Sequence, residues 1–119
     1  MESRRQKKIA ELIKEEMGAF LQKEGANYYG NKFVTVTNVS ITPDLQECKI
    51  FISVWHETEP QKVADSLNRH AGDIRRRFGN IMRQSLRIIP HISFHIDDSL
   101  DTVFKLEQIF KDINDKNNS

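Results

Sequence analysis

The chain has 119 residues with 18 Lys and Arg against 17 Asp and Glu, enough for one hydrophobic core and too short for two domains of ordinary size. A single cysteine excludes an internal disulfide. The N-terminus lacks a secretory apolar run and nothing approaches the roughly 18 apolar residues of a membrane span, so a soluble, cytoplasmic, monomeric protein without membrane contact is expected.

Ile9, Leu12, Ile13, Met17, Phe20 and Leu21 recur at helical spacing and predict an amphipathic helix from about Arg4 to Glu24, ended by Gly25. FVTVTNVSI (33–41) and CKIFISVW (48–55) follow as β-rich runs separated by a Pro43-Asp44 turn signal, an antiparallel hairpin. Cys48, Ile50, Ile52 and Val54 form one face of the second run, which makes Cys48 an inert buried thiol. In the first run the parity slips between Val36 and Val39, as a bulge would make it.

Thr58-Glu59-Pro60-Gln61 matches a capping box, with Thr58 as N-cap and Gln61 at N3. The helix it opens carries Val63, Ala64, Leu67 and Ala71, and helical spacing continues beyond Gly72 through Ile74, Phe78, Ile81 and Met82. Two helices, or one bent helix, fit this pattern. Pro90 then introduces a strand in which Ile92, Phe94 and Ile96 alternate with His91, Ser93 and His95. Asp98 or Ser99 would cap a last helix with Leu100, Val103, Leu106, Phe110 and Ile113 on one side.

The order is α-β-β-α-(kink)-α-β with an additional C-terminal helix. It predicts an α+β fold whose three-stranded sheet is covered by helices. Residues 1–113 form one domain and 114–119 a tail without apolar periodicity.

Charge is distributed unevenly along this order. From Arg69 to Arg87 six arginines (Arg69, Arg75, Arg76, Arg77, Arg83 and Arg87) face one acid, Asp73, whereas from Asp97 onward six acids face three lysines. An anionic partner for one face is implied. With Gly72 as the joint, the second helical arm would begin with free backbone N–H groups beside Arg75, Arg76 and Arg77, and an electropositive ridge would be assembled at this turn, although three consecutive residues span about 200° of a helix and cannot all face one ligand. Arg76, Arg83 and Arg87 (i, i+7, i+11) come near to sharing a helical stripe. Arginine suits bidentate phosphate contacts, and Arg4, Arg5, Lys7 and Lys8 add a second basic cluster.

Phe51 and Trp55 lie opposite the core face of their strand, where they would stack on bases, be covered by a loop or helix, or form a protein contact. Catalysis finds little support. His91 and His95 share a strand face but lie about 13 Å apart at roughly 3.3 Å per residue, too far to chelate one metal. No phosphate-loop, zinc-protease or paired-cysteine spacing occurs. No enzyme activity, cofactor or metal is expected.

Three stretches, VTVTNVSITPDLQECKIFISVW, GDIRRRFGNIMR and PHISFHIDDS, occur in the order that resembles the ribosome-binding factor A family of the type II KH-domain superfold. The resemblance implies a KH-like fold whose helix kink, A-x-G in the family, corresponds here to His70-Ala71-Gly72 with His70 in place of the alanine. The aspartate-proline-arginine turn common after the family's first helix is represented only by GANYYGNK. Arg75, within G-x-I-R, is the firmest carry-over; about two additional residues around Gln84 to Arg87 make the match to the family's basic M-R-x-R segment approximate.

Binding to the maturing small (30S) ribosomal subunit and its 16S rRNA, with ribosomal proteins as further contacts, is implied by the same resemblance. So are support for late rRNA processing and cold adaptation. The expectation is a non-catalytic factor whose RNA-binding residues are Arg4, Arg5, Lys7, Lys8, Arg69, Arg75, Arg76, Arg77, Arg83 and Arg87. The rival is a protein-interaction module without direct RNA contact.

Overall fold

A computed structural model describes residues 3–97. The expected C-terminal helix, its Asp98 or Ser99 cap and the 114–119 tail lie outside the described residues.

The first helix, α1 (Arg4–Glu24), buries Ile13, Met17, Phe20 and Leu21 of the stripe read from the sequence together with Ala10, while Ile9 and Leu12 are half-buried. Its start is fixed by a motif not anticipated from the sequence: the Ser3 hydroxyl accepts the Gln6 N–H at 3.1 Å and the Gln6 Oε1 accepts the Ser3 N–H at 2.9 Å. This reciprocal pair satisfies two groups that a helix end leaves open. The amide nitrogen of Gln6 is used as well, since Nε2 donates to the Ile41 carbonyl at 3.1 Å. One buried side chain thus caps the helix and ties it to the sheet.

Gly25 ends α1 and opens a four-residue turn of helix, α2 (Ala26–Tyr29), an element not anticipated from the sequence. The hairpin follows as β1 (Phe33–Ile41) and β2 (Glu47–Trp55), antiparallel from Phe33↔Trp55 to Ile41↔Cys48. The expected bulge is present: the register shifts between Val36 and Asn38 and leaves Thr37 without an opposite residue. In the connecting turn Leu45 has φ 62°, a left-handed conformation that costs a branched residue roughly 1–2 kcal/mol. The Asp44 carboxylate steadies this turn by accepting the Thr42 hydroxyl at 2.6 Å and the Gln46 N–H at 3.1 Å.

Helices α3 (Pro60–Arg69) and α4 (Ala71–Met82) cross back to β3 (His91–Ile96), which lies parallel to β2 from Glu47↔His91 to Ile52↔Ile96. The sheet order is β1-β2-β3. With this α-β-β-α-α-β order the described chain has the α+β, KH-like architecture expected of it.

Two expectations about the crossover fail. Glu59, not Thr58, is the N-cap of α3, and no side chain caps it. A residue preceding proline is pushed out of the helical region, and Glu59 accordingly sits at φ −128°, ψ 68°. Thr58 is therefore one residue too early, and the Gln61 amide turns instead to Asp65 at 3.0 Å. Ile81, counted among the core positions, is 50 % exposed, because α4 buries only the narrower stripe of Ile74, Phe78 and Met82.

The core joins that stripe to Met17 and Ile13 of α1, Leu67 of α3 and the inner faces of the strands, where Ile50, Ile52 and Phe94 are buried. Cys48 lies among them, and burial pushes its thiol up to about 12. Phe20 and Phe78 meet edge to face, with ring centroids 6.3 Å apart.

Phe78→Ala should lower unfolding stability by about 3–5 kcal/mol in urea denaturation. Ile81→Ala, one turn away, should change it by no more than about 0.5 kcal/mol.

Candidate nucleic-acid interface

The break in the long helix falls at His70, with φ −102° and ψ 13°, and not at the glycine. Gly72 lies in the first turn of α4 with a negative φ, and a Cβ added to it would meet nothing within 4 Å. Its conformational freedom is therefore not what makes the joint. His70 instead leaves the helical region while staying anchored: its Nδ1 lies 2.8 Å from the Ser66 carbonyl, and its ring packs on Tyr28 with centroids 5.3 Å apart. Ala71 is the first residue of the second arm.

The arginines following the break are largely fastened to the protein itself. Arg75 donates from Nη2 to the Ile89 carbonyl at 2.7 Å and from Nε to the Pro90 carbonyl at 3.2 Å. It thereby pins the segment entering β3 onto α4. Arg76 pairs with Asp73 at 2.8 Å, and Arg77 reaches both Asp73 at 3.3 Å and Glu24 at 3.5 Å. Asp73 also accepts the Tyr28 hydroxyl at 2.9 Å. The hydrogen bond from Arg76, followed by that from Tyr28, holds the Asp73 carboxyl below its ordinary range. The same contact helps to raise the Tyr28 phenol, after desolvation by burial, the larger cause. The lone acid of the arginine stretch thus occupies its centre.

The stripe expected of Arg76, Arg83 and Arg87 does not form, because α4 stops at Met82 and Arg83 is its C-cap. The backbone then turns through Ser85 and Leu86, whose N–H groups both bond to the Met82 carbonyl. This turn brings Arg87 to Arg4, Arg5 and Lys8 of α1, and the four cations line one open groove. Its other walls include Ile9, Leu45 and Ile88, the last 61 % exposed. Asp44 is the acid lining this groove, and the Thr42 hydroxyl and Gln46 N–H that hold its carboxylate keep it below the usual carboxylate range. Among the described residues none of the four cations has an ion pair. No sequence spacing links Arg87 to Arg4; the buried Gln6 amide and the α4–β3 turn place them together.

The other basic candidates lie elsewhere. Lys7 is on a different side of α1, beside Lys14 and Asn38. Arg69 is exposed at the end of α3, and Arg83 is exposed at the end of α4. The expected single ridge around Gly72 is therefore divided into a self-paired cluster and a separate open groove.

On the opposite sheet face Phe51 is half-buried against His95, with centroids 5.6 Å apart, while Trp55 packs on Phe33 at 6.3 Å. Phe33 and Trp55 are 60 % and 40 % exposed. His95 Nε2 lies 2.8 Å from the Ser93 hydroxyl. Among the described residues no group of three or more potential ligands could hold a metal ion, and no helix is long and apolar enough to cross a membrane.

Residues 5–110 match the sequence model of the family described as Ribosome-binding factor A. Relatives of that description include a Cytophaga hutchinsonii protein, 33 % identical with 95 % of this chain and 85 % of the relative covered. One from Brevibacillus brevis is 35 % identical, with 95 % and 92 % covered. Among solved structures, ribosome-binding factor A from Thermus thermophilus superposes with a TM-score of 0.62 at 14 % identity, over 76 % of this chain and 94 % of that one. A Thermus thermophilus homology model fitted into a cryo-electron microscopy map of a 30S complex gives 0.55 at 18 % identity, over 73 % and 93 %.

Arg75→Lys should lose the two-carbonyl fork and destabilise the protein by about 1–2 kcal/mol in chemical denaturation. The Asp73 contribution to stability is present above the ordinary carboxylate pKa near 4 and disappears as pH falls through its lowered native value. Melting temperatures recorded from about pH 6 down to pH 2 should therefore fall less steeply for Asp73→Asn than for the native chain.

Proposed function

The chain belongs to the ribosome-binding factor A family, and we propose that it is a non-catalytic, cytoplasmic assembly factor that binds the maturing small ribosomal subunit through its 16S rRNA. The reading rests foremost on one observation, the groove in which Arg4, Arg5, Lys8 and Arg87 converge. Family membership and the 30S complex of the Thermus thermophilus relative support the subunit as its target.

In this reading the four groove cations make the main phosphate contacts. Lys7, Arg69 and Arg83 extend the favourable field, and Arg75, Arg76 and Arg77 chiefly hold the fold. Arg4 and Arg5 stand in the first turn of α1, where no acid accompanies them. Cations at that positive end of a helix dipole are unfavourable until an anion arrives, so a phosphate bound there relieves a strain of charge in the free protein. Contacts of this kind position a protein on the backbone without reading bases. Selectivity would come from the three-dimensional spacing of phosphates on folded RNA, and docking in this way supports late rRNA processing and subunit maturation by stabilising one arrangement of that RNA.

The exposed pairing of Phe33 with Trp55 favours a second reading, a protein-interaction module that uses this sheet face without direct RNA contact. Co-sedimentation with small subunits across a salt series separates the two. Reversing Arg4, Lys8 and Arg87 to Glu together should weaken binding more than about tenfold and reduce the salt slope by nearly one for each phosphate that is no longer neutralised. Unchanged binding by this variant, with its fold verified by circular dichroism, would remove the groove reading and favour the module.

A further inference from the structure

We propose that the Asn68 side chain keeps the free edge of the sheet closed against a second copy of this chain. Among the described residues β3 is an edge strand, paired with β2 and with no other strand. His91 and Asp97 direct their N–H groups to Gln46 and Ile52 of the β2 side, so the alternate residues Ile92, Phe94 and Ile96 turn both their N–H and C=O outward. An edge of this kind is a template for another strand.

At its centre the template is already occupied. The Asn68 Oδ1 accepts the Phe94 N–H at 2.7 Å, and its Nδ2 donates to the Phe94 carbonyl at 2.9 Å. In a narrow antiparallel pair two opposed residues exchange one N–H···O bond in each direction. The carboxamide of Asn68 supplies that same donor and acceptor from a single side chain, and thus takes the place of an opposing residue.

The edge is also suited to pairing with itself. Three outward residues centred on Phe94 permit a two-fold arrangement in which Phe94 opposes its own copy and Ile92 opposes Ile96. Both of those bond pairs depend on the central one being vacant. Arg75 covers the Ile89 and Pro90 carbonyls immediately before the strand, leaving Phe94 as the position that decides whether the edge is open.

The test combines amide exchange with sedimentation. In the native chain the Phe94 amide should exchange at least about tenfold more slowly than that of Ile92, although both face outward; equal rates would overturn the proposal and require no variant. Asn68→Ala should remove that difference in dilute solution and should convert, as concentration rises, from monomer to dimer in sedimentation velocity. Adding Ile96→Pro, which deletes an outward N–H while leaving the β2 side intact, should restore the monomer. A folded Asn68→Ala protein that stays monomeric at every concentration, or a dimer that persists with Ile96→Pro, would equally overturn it.

Discussion

The parallel pairing of β2 with β3 is the constraint on which the rest of the molecule depends. Parallel strands cannot be joined by a tight turn, so the chain leaving Trp55 must travel back along the sheet before entering at His91. Helices α3 and α4 make that return. Their apolar stripes cover one sheet face, where Leu67, Ile74 and Phe78 meet Ile50, Ile52 and Phe94 in a single core. The helical interruption at His70 permits two stripes to follow the sheet within one crossover.

Polar groups in this crossover act mainly as fasteners. Asn68 binds β3, Arg75 binds the approach to it, and Asp73 gathers Tyr28, Arg76 and Arg77 beside the break. Each joins segments distant in sequence at a place where backbone or charge would otherwise lack a partner. The density of arginine near the break is therefore explained first by internal satisfaction. Four cations without an ion pair among the described residues, Arg4, Arg5, Lys8 and Arg87, meet instead in one groove, where Gln6 fixes the start of α1 against Ile41 and the turn after α4 presents Arg87. In the proposed reading, affinity for a polyanion and stability of the free protein would consequently rest on largely different sets of basic residues.

Much of this architecture was legible in the sequence because it follows from local patterning. The α1 stripe, the two strands with their slipped parity at Val36 to Val39, and the Ile92-Phe94 alternation all arise from periodicities of 3.6 or 2, and the structure repeats them nearly residue for residue. The failures occurred where one local rule competes with another. Ser3-Arg4-Arg5-Gln6 and Thr58-Glu59-Pro60-Gln61 fit the same capping pattern, yet only the first forms a box, because proline displaces the start of α3 by one residue. Similarly, Gly72 is the conspicuous helix breaker, but the break lies at His70, held by Ser66 and Tyr28.

The sequence by itself determined the order of the main elements from α1 to β3, most of the core positions, the family and the presence of surplus positive charge, since each is written in spacing and residue type along the chain. Only the tertiary structure decided which of those charges are available. Arg75 is committed to carbonyls fourteen and fifteen residues onward, and Arg87 is carried to the first turn of a helix at the other end of the chain. Whether a guanidinium is spent or free depends on what lies within about 3 Å of it in space, a quantity that no periodicity encodes.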